Sequence, residues 1–206
     1  IVEHTAAAMR RAPGVGTYRG LGAAERFHME FRPQQLAKRG QDGPAPLAGR
    51  VVVISGGAGA IGAAIAEVCA RAGGHVAVTD LDEKRLGTVV ERLESRCSPE
   101  RIRGIVMDVT DETSVREGFE EVCREYGGVD VVVPNAGIAH VAPVADLELA
   151  DFQRVLDVNL TGMLLFLREG VQLLKRQGIG GHVVVNSSKN VFGPGKDFGA
   201  YSASKA

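Results

Sequence analysis

Arg50-Val51-Val52-Val53-Ile54-Ser55-Gly56-Gly57-Ala58-Gly59-Ala60-Ile61-Gly62-Ala63-Ala64-Ile65-Ala66 is the stretch whose reading decides the fold. Four consecutive β-branched residues, Val51 to Ile54, predict a strand buried on both faces, as in a parallel sheet. The glycines interrupt that strand, and Ala63 to Arg71 resumes as a strong helix former. A strand, a glycine turn and a helix start together make an anion site. Amide N–H groups and the helix dipole converge there, and the missing side chains leave room for a pyrophosphate. The next apolar strand, His75 to Thr79, closes on Asp80, 18 residues after Gly62. A carboxylate at that point is placed to take the hydroxyls of an adenosine ribose. Dinucleotide binding is the expectation, with Gly56, Gly59, Ile61, Gly62 and Asp80 among the contacts.

The glycine spacing supports three readings. Gly57-x-Gly59-x-x-Gly62 is the general dinucleotide fingerprint. Ser55-Gly56-x-x-Gly59-x-x-Gly62 resembles the extended short-chain dehydrogenases, which include sugar epimerases. The ordinary short-chain pattern, T-G-x-x-x-G-x-G, calls for Gly at position 60, where this chain has Ala60. The turn alone leaves all three open.

Composition narrows the class. The chain of 206 residues is 45% hydrophobic and 24% charged, enough to bury a core in one main domain. A net charge of −1 gives no electrostatic case for nucleic acid or an anionic membrane. Cys69, Cys97 and Cys123 are odd in number and lack a C-x-x-C, which points to a reduced, cytoplasmic compartment. No apolar run reaches the length of a membrane span. His4, His28, His75, His140 and His182 show no metal-ligand spacing, so no metal is expected.

Residues 1–48 differ from the rest: Lys and Arg outnumber Asp and Glu there, and the remainder has the reverse balance. Val2 to Arg11 has the makings of a helix, Glu25 to Lys38 is polar with interleaved Phe27, Met29 and Phe31, and Gly40 to Pro46 reads as a linker. From Gly49 onward, strand and helix patterns alternate. The reading is strand 75–80, helix 83–95, strand 102–107, helix 111–126, strand 129–133, a long helix 148–177, strand 181–186 and a helix starting near Ala200. Strands separated by helical crossovers predict an α/β, doubly wound parallel sheet of Rossmann type, truncated at its C-terminal end. The chain begins at Ile1 rather than Met and stops at Ala206 inside a helical pattern, and on that reading it is a segment, inactive alone, of a longer protein.

In such sheets ligands sit beyond the carboxyl ends of the strands, so those ends hold the candidate site. Asp108-Val109 follows the third strand, and Asp108 serves either as the N-cap of the next helix or as a carboxylate against adenine. Asn135-Ala136-Gly137 follows the fourth, either as a plain tight turn or as a small-residue floor for a cofactor. Asn159 sits inside the long helix among Val155, Leu156, Leu160 and Leu164, where an amide needs a partner or a task. Ser188 ends the fifth strand, and Tyr201 follows 13 residues later with Lys205 one helical turn on. A free phenol keeps its proton until about pH 10, and a neighbouring ammonium or a cationic nicotinamide favours the phenolate. Tyr201 is then placed to accept an alcohol proton as hydride leaves the carbon. Ser188 would hold the substrate oxygen, Lys205 the nicotinamide ribose, and Asn159 a water that relays the proton.

Taken together, residues 49–206 resemble the short-chain dehydrogenase/reductases. The glycine turn, Asp108-Val109, Asn135-Ala136-Gly137, Asn159, Ser188 and Tyr201-x-x-x-Lys205 fall in that family's order and spacing. Asn-Ala-Gly and the Ser–Tyr gap favour the ordinary branch over the extended one. Ala60 and Pro134 depart from the pattern, and neither removes a reacting group. The resemblance implies NAD as cofactor, a small-molecule substrate, and a homo-oligomer formed through the 148–177 helix. A narrower resemblance rests on Glu3-His4-Thr5, Ala6-Ala7-Ala8-Met9, Arg26-Phe27-His28-Met29-Glu30-Phe31 and Gln34-Gln35-Leu36-Ala37-Lys38. It also rests on Ser187-Ser188-Lys189-Asn190 and on Pro194-Gly195-x-Asp197-Phe198. These look like the bifunctional rhamnulose-1-phosphate aldolase/short-chain dehydrogenases of rhamnose catabolism, which oxidise lactaldehyde with NAD. On that likeness residues 1–48 are the tail of a preceding aldolase domain plus linker, and residues 49–206 an incomplete dehydrogenase domain. Two other classes stay open from the residues: a nucleotide-binding scaffold or redox sensor without turnover, and an epimerase of the extended type.

Overall fold

The computed structural model describes residues 45–206. The helix expected over Val2 to Arg11, the polar stretch Glu25 to Lys38 and nearly all of the aldolase-like tail lie outside the described residues. Five strands form one parallel sheet in the order β3-β2-β1-β4-β5. They are β1 (Val51–Ser55), β2 (His75–Asp80), β3 (Ile102–Val106), β4 (Val131–Val133) and β5 (His182–Val183). Both faces of β1 are buried, as its run of β-branched residues requires. Val52 and Ile54 join one core with α1 (Ala60–Arg71) and α2 (Glu83–Glu94). Val51 and Val53 join the other with α3 (Glu112–Tyr126) and α5 (Met163–Gln177). Leu47 packs against the first core, and its N–H donates to the Ala72 carbonyl at 2.9 Å.

Strand order reverses between β1 and β4, and the crevice at that switch point is where a ligand sits in an open α/β sheet. Several boundaries are shorter than the hydrophobic pattern suggests. β5 is regular only over His182–Val183 because it bonds to one neighbour, β4. Its pairing continues loosely through Val184 N–H to the Val132 carbonyl at 3.0 Å. The helix expected from Ala63 begins at Ala60, since Gly59 already has extended, capping backbone angles. The expected single helix 148–177 comprises α4 (Leu149–Leu156), a π-helical turn (Asp157–Gly162) and α5. A last helix, α6 (Gly199–Lys205), carries the Tyr–Lys pair. No helix among the described residues is long and apolar enough to cross a membrane.

Candidate active site

The glycine turn folds as tightly as its composition allows. Gly56 has φ +63°, and a Cβ on it would lie 2.7 Å from the Ala136 Cα. A Cβ on Gly62 would meet the Gly56 carbonyl oxygen at 2.3 Å and Asn135 Nδ2 at 2.8 Å. Both positions therefore demand glycine. Gly59 has φ −73° and only one tight contact, so it is the least constrained of the set. The Ala60 side chain is exposed at the start of α1, where its methyl group costs the turn nothing. α1 has no side-chain cap and no acidic residue in its first turn. By contrast, Asp82 and Asp111 cap α2 and α3. The N-terminus of α1 therefore presents free N–H groups to the crevice, and the cradle suits a pyrophosphate.

Two adjoining cavities share Gly56 and Gly137. One, about 290 Å³, is mostly apolar and is lined by Asp80, Leu81, Asp108, Val109 and Ala136 among others. Asp80 shapes its rim: one carboxylate oxygen accepts from Ala58 N–H at 3.0 Å and the other from Asp82 N–H at 3.1 Å. Asp108 is not the helix cap, which corrects one of its two sequence readings. Asp111 caps α3, while Asp108 Oδ1 accepts from the Thr110 amide and hydroxyl at 2.8 and 2.7 Å. The second cavity, about 470 Å³, is lined by Gly59, Ile61 and Gly62 on one side and by Ser188, Tyr201 and Lys205 on the other. The Lys205 ammonium lies 5.8 Å from the Tyr201 ring centroid. A Cβ on Gly137 would lie 3.3 Å from Asn159 Oδ1 and in ordinary contact, 3.8 Å, with that ammonium.

Asn135 ties the strand ends together. Its Nδ2 donates to the carbonyls of Ser55 and Gly56 at 3.0 and 3.1 Å, and its Oδ1 accepts from Asn186 Nδ2 at 2.9 Å. Ser55, fully buried, accepts the N–H groups of Asn135 and Ala136. Neither Ser55 nor Asn186 stood out in the sequence, because each acts through a residue far away in the chain.

Asn159 is fully buried in the π turn and lines neither cavity. Its Oδ1 accepts from Ile138 N–H at 2.8 Å, and its Nδ2 donates to the Ile138 carbonyl at 2.9 Å and to Ser204 Oγ at 2.8 Å. The side chain thus links Ile138 on one side to Ser204 on the other. The π turn interrupts the regular i to i+4 ladder beside it, and such turns gather at functional sites. Ser204 in turn donates to the Tyr201 carbonyl at 2.7 Å, a link the sequence did not disclose.

Every residue of the expected set except Asn159 lines one of these two cavities. A bare helix N-terminus, a carboxylate at the tip of β2 and a Ser, Tyr and Lys facing the glycine turn thus meet around two adjoining cavities. The model of the short chain dehydrogenase family matches residues 50–206. The chain belongs to this family. The short-chain dehydrogenase is 36% identical over 201 residues to the uncharacterized oxidoreductase YuxG of Bacillus subtilis (strain 168), covering 97% of this chain and 29% of that one. It superposes on sorbitol-6-phosphate 2-dehydrogenase from Erwinia amylovora with a TM-score of 0.71 and 38% identity, over 75% of this chain and 60% of the other. An NAD+-bound xylitol dehydrogenase gives a TM-score of 0.73 at 30% identity, covering 78% and 61%. The chain thus spans less than two thirds of the length of each. The two dehydrogenases are named for different substrates, sorbitol 6-phosphate and xylitol.

Another cavity, about 960 Å³, lies apart from this site, between α3 and α5. It holds none of the motif residues.

Proposed function

We propose that the protein transfers hydride between a small alcohol and NAD, with Tyr201 as general base. The observation that carries this reading is the second cavity, where Ser188, Tyr201 and Lys205 face the glycine turn across one groove. NAD, when bound, supplies the acceptor for the hydride. The free N–H groups of α1 would hold its pyrophosphate, Asp80 its adenosine ribose, and Asp108 and Val109 its adenine. Tyr201 takes the alcohol proton as the C–H bond yields its hydride, and Lys205 would hold the nicotinamide ribose. Ser188 donates to the substrate oxygen and steadies the charge that develops on it. Asn159 holds Ile138 and the Tyr201 helix in register. The test is production of NADH by the full-length protein from a panel of small alcohols and aldehydes, beside Tyr201→Phe. That variant should lose at least about 10²-fold in turnover while binding NAD nearly as before. Substantial turnover by the variant would overturn the mechanism.

The finer part of the proposal concerns substrate and setting. We assign lactaldehyde oxidation after an upstream aldolase domain, in the cytoplasm. The match to YuxG supports a composite protein. It covers 97% of this chain, so it must run into residues ahead of position 50, where the family model begins. It also accounts for less than a third of the length of YuxG. The three cysteines are free, in keeping with a reducing compartment. Cleavage of rhamnulose 1-phosphate by the full-length protein, followed by NADH formation, would support this assignment, and absence of cleavage would remove it.

A further inference from the structure

The turn after Ser188 contains a buried amide that the mechanism above does not use. Ser187-Ser188-Lys189-Asn190 leaves β5 and enters a single 3₁₀ turn, Lys189–Val191, whose N-cap is Ser188. Asn190 is 7% exposed, in a loop whose neighbours Lys189, Val191 and Phe192 all face solvent. A buried primary amide is retained where its hydrogen bonds are made. Its Nδ2 donates to Ser202 Oγ at 3.3 Å, and Ser202 is itself 9% exposed on α6, next to Tyr201. Its backbone N–H donates to Ser188 Oγ at 3.2 Å.

These two bonds have distinct chemical consequences. A hydroxyl that accepts from the Asn190 amide has its own proton left to give elsewhere, which is the state a donor to a substrate oxygen needs. The side-chain bond ties that same turn to the helix carrying Tyr201. On the far side of α6, Ser204 is held by Asn159 at 2.8 Å. The short helix is therefore gripped through two serines by two buried asparagines, one from the π turn and one from the Ser188 turn.

We propose that Asn190 is a positioning residue that sets Ser188 against Tyr201 by bridging the Ser188 turn to Ser202. The proposal rests on the reading of Ser188 and Tyr201 given above. Proximity is a large part of what such a site supplies, and a displacement of about 1 Å can cost about 10²-fold in rate.

The test is a double-variant cycle in the full-length protein: Asn190→Ala, Ser202→Ala and both together, with kcat, KM for the alcohol, NADH affinity and melting temperature measured for each. Each single variant should lower kcat by about 10-fold or more and leave NADH affinity within twofold. The double variant should be no worse than the poorer single one, since both remove the same bond. A purely structural role would lower the melting temperature and leave kcat of the folded protein unchanged. That result, or losses in kcat that multiply in the double variant, would overturn the proposal. If Asn190→Ala does not fold, Ser202→Ala decides alone, because it removes one oxygen from the same bond: lowered kcat supports the bridge and unchanged kcat refutes it. Tyr201→Phe is measured alongside. Retained activity there sinks the catalytic reading itself, whereas its loss together with normal Asn190→Ala turnover sinks only the bridge.

Discussion

At the scale of single residues, the informative side chains are polar ones with unusual surroundings. Asp80 spends one lone pair on each oxygen on the turn, through Ala58 and Asp82, and keeps its charge at the mouth of the apolar cavity. A 2′-phosphate there would meet a fixed anion. NAD should therefore bind tighter than NADP by at least about tenfold, roughly 1.4 kcal/mol, and Asp80→Ala should narrow that gap in fluorescence titrations of both cofactors. Equal affinities in the parent protein would contradict this role. Tyr126 makes the opposite case. Its hydroxyl is buried without a hydrogen-bond partner, and its ring lies tilted against His75, the centroids 5.1 Å apart. Burial, with the charge of Glu125 adding to it, pushes its phenol well above the usual tyrosine range. The folded state thus keeps a proton that the unfolded chain releases near pH 10. The contribution is fully present below that pH and is lost as pH climbs toward the folded value. Tyr126→Phe should raise stability by about 1 kcal/mol at neutral pH and flatten the fall in melting temperature between about pH 9 and 11. A less stable Phe variant would show that the hydroxyl has a partner in solution.

At the scale of elements, the glycine turn and the π turn do different work. The turn brings Gly56, Gly62 and Asn135 within contact, so it cannot widen without moving α1. Gly62→Ala should cost about 1–3 kcal/mol and weaken NAD binding by at least about tenfold, read by thermal unfolding and titration. Normal NAD affinity in that variant would mean the start of α1 is free to shift. In the π turn Asn159 points inward between Ile138 and Ser204, while α5 keeps Leu165 and Phe166 in the core.

At the scale of the whole molecule, the long helix divides its apolar residues between core and surface. Val155 and Leu165 are core residues, at 0% and 8% exposure. Leu160 and Leu164, one helical turn apart, face outward at 50% and 61%, and Leu149 at 77%. We propose that this patch pairs with its copy in a second subunit, in an isologous contact. Leu160→Glu with Leu164→Glu should convert the full-length protein to a monomer by light scattering, without loss of melting temperature beyond the dimer's contribution. A parent protein already monomeric at micromolar concentration, or an unchanged assembly in the variant, would rule the contact out.

What the sequence determined by itself is whatever contiguous residues encode. Val51 to Ile54 specify burial on two faces, Gly56 to Ala60 specify a turn of small residues, and Tyr201 and Lys205 share a face because one helical turn separates them. The parallel sheet and all but one of the cavity-lining assignments follow from those local rules. Only the tertiary structure decided what the polar side chains do. Asn159 finds Ile138 and Ser204, Asn135 finds Ser55 and Asn186, and Asn190 finds Ser202. Apart from the last pair, these partners lie at least 21 residues apart along the chain. No local period records such pairings. They are set when the strands take their order and buried amides must be satisfied, and that order arises from the packing of the two cores.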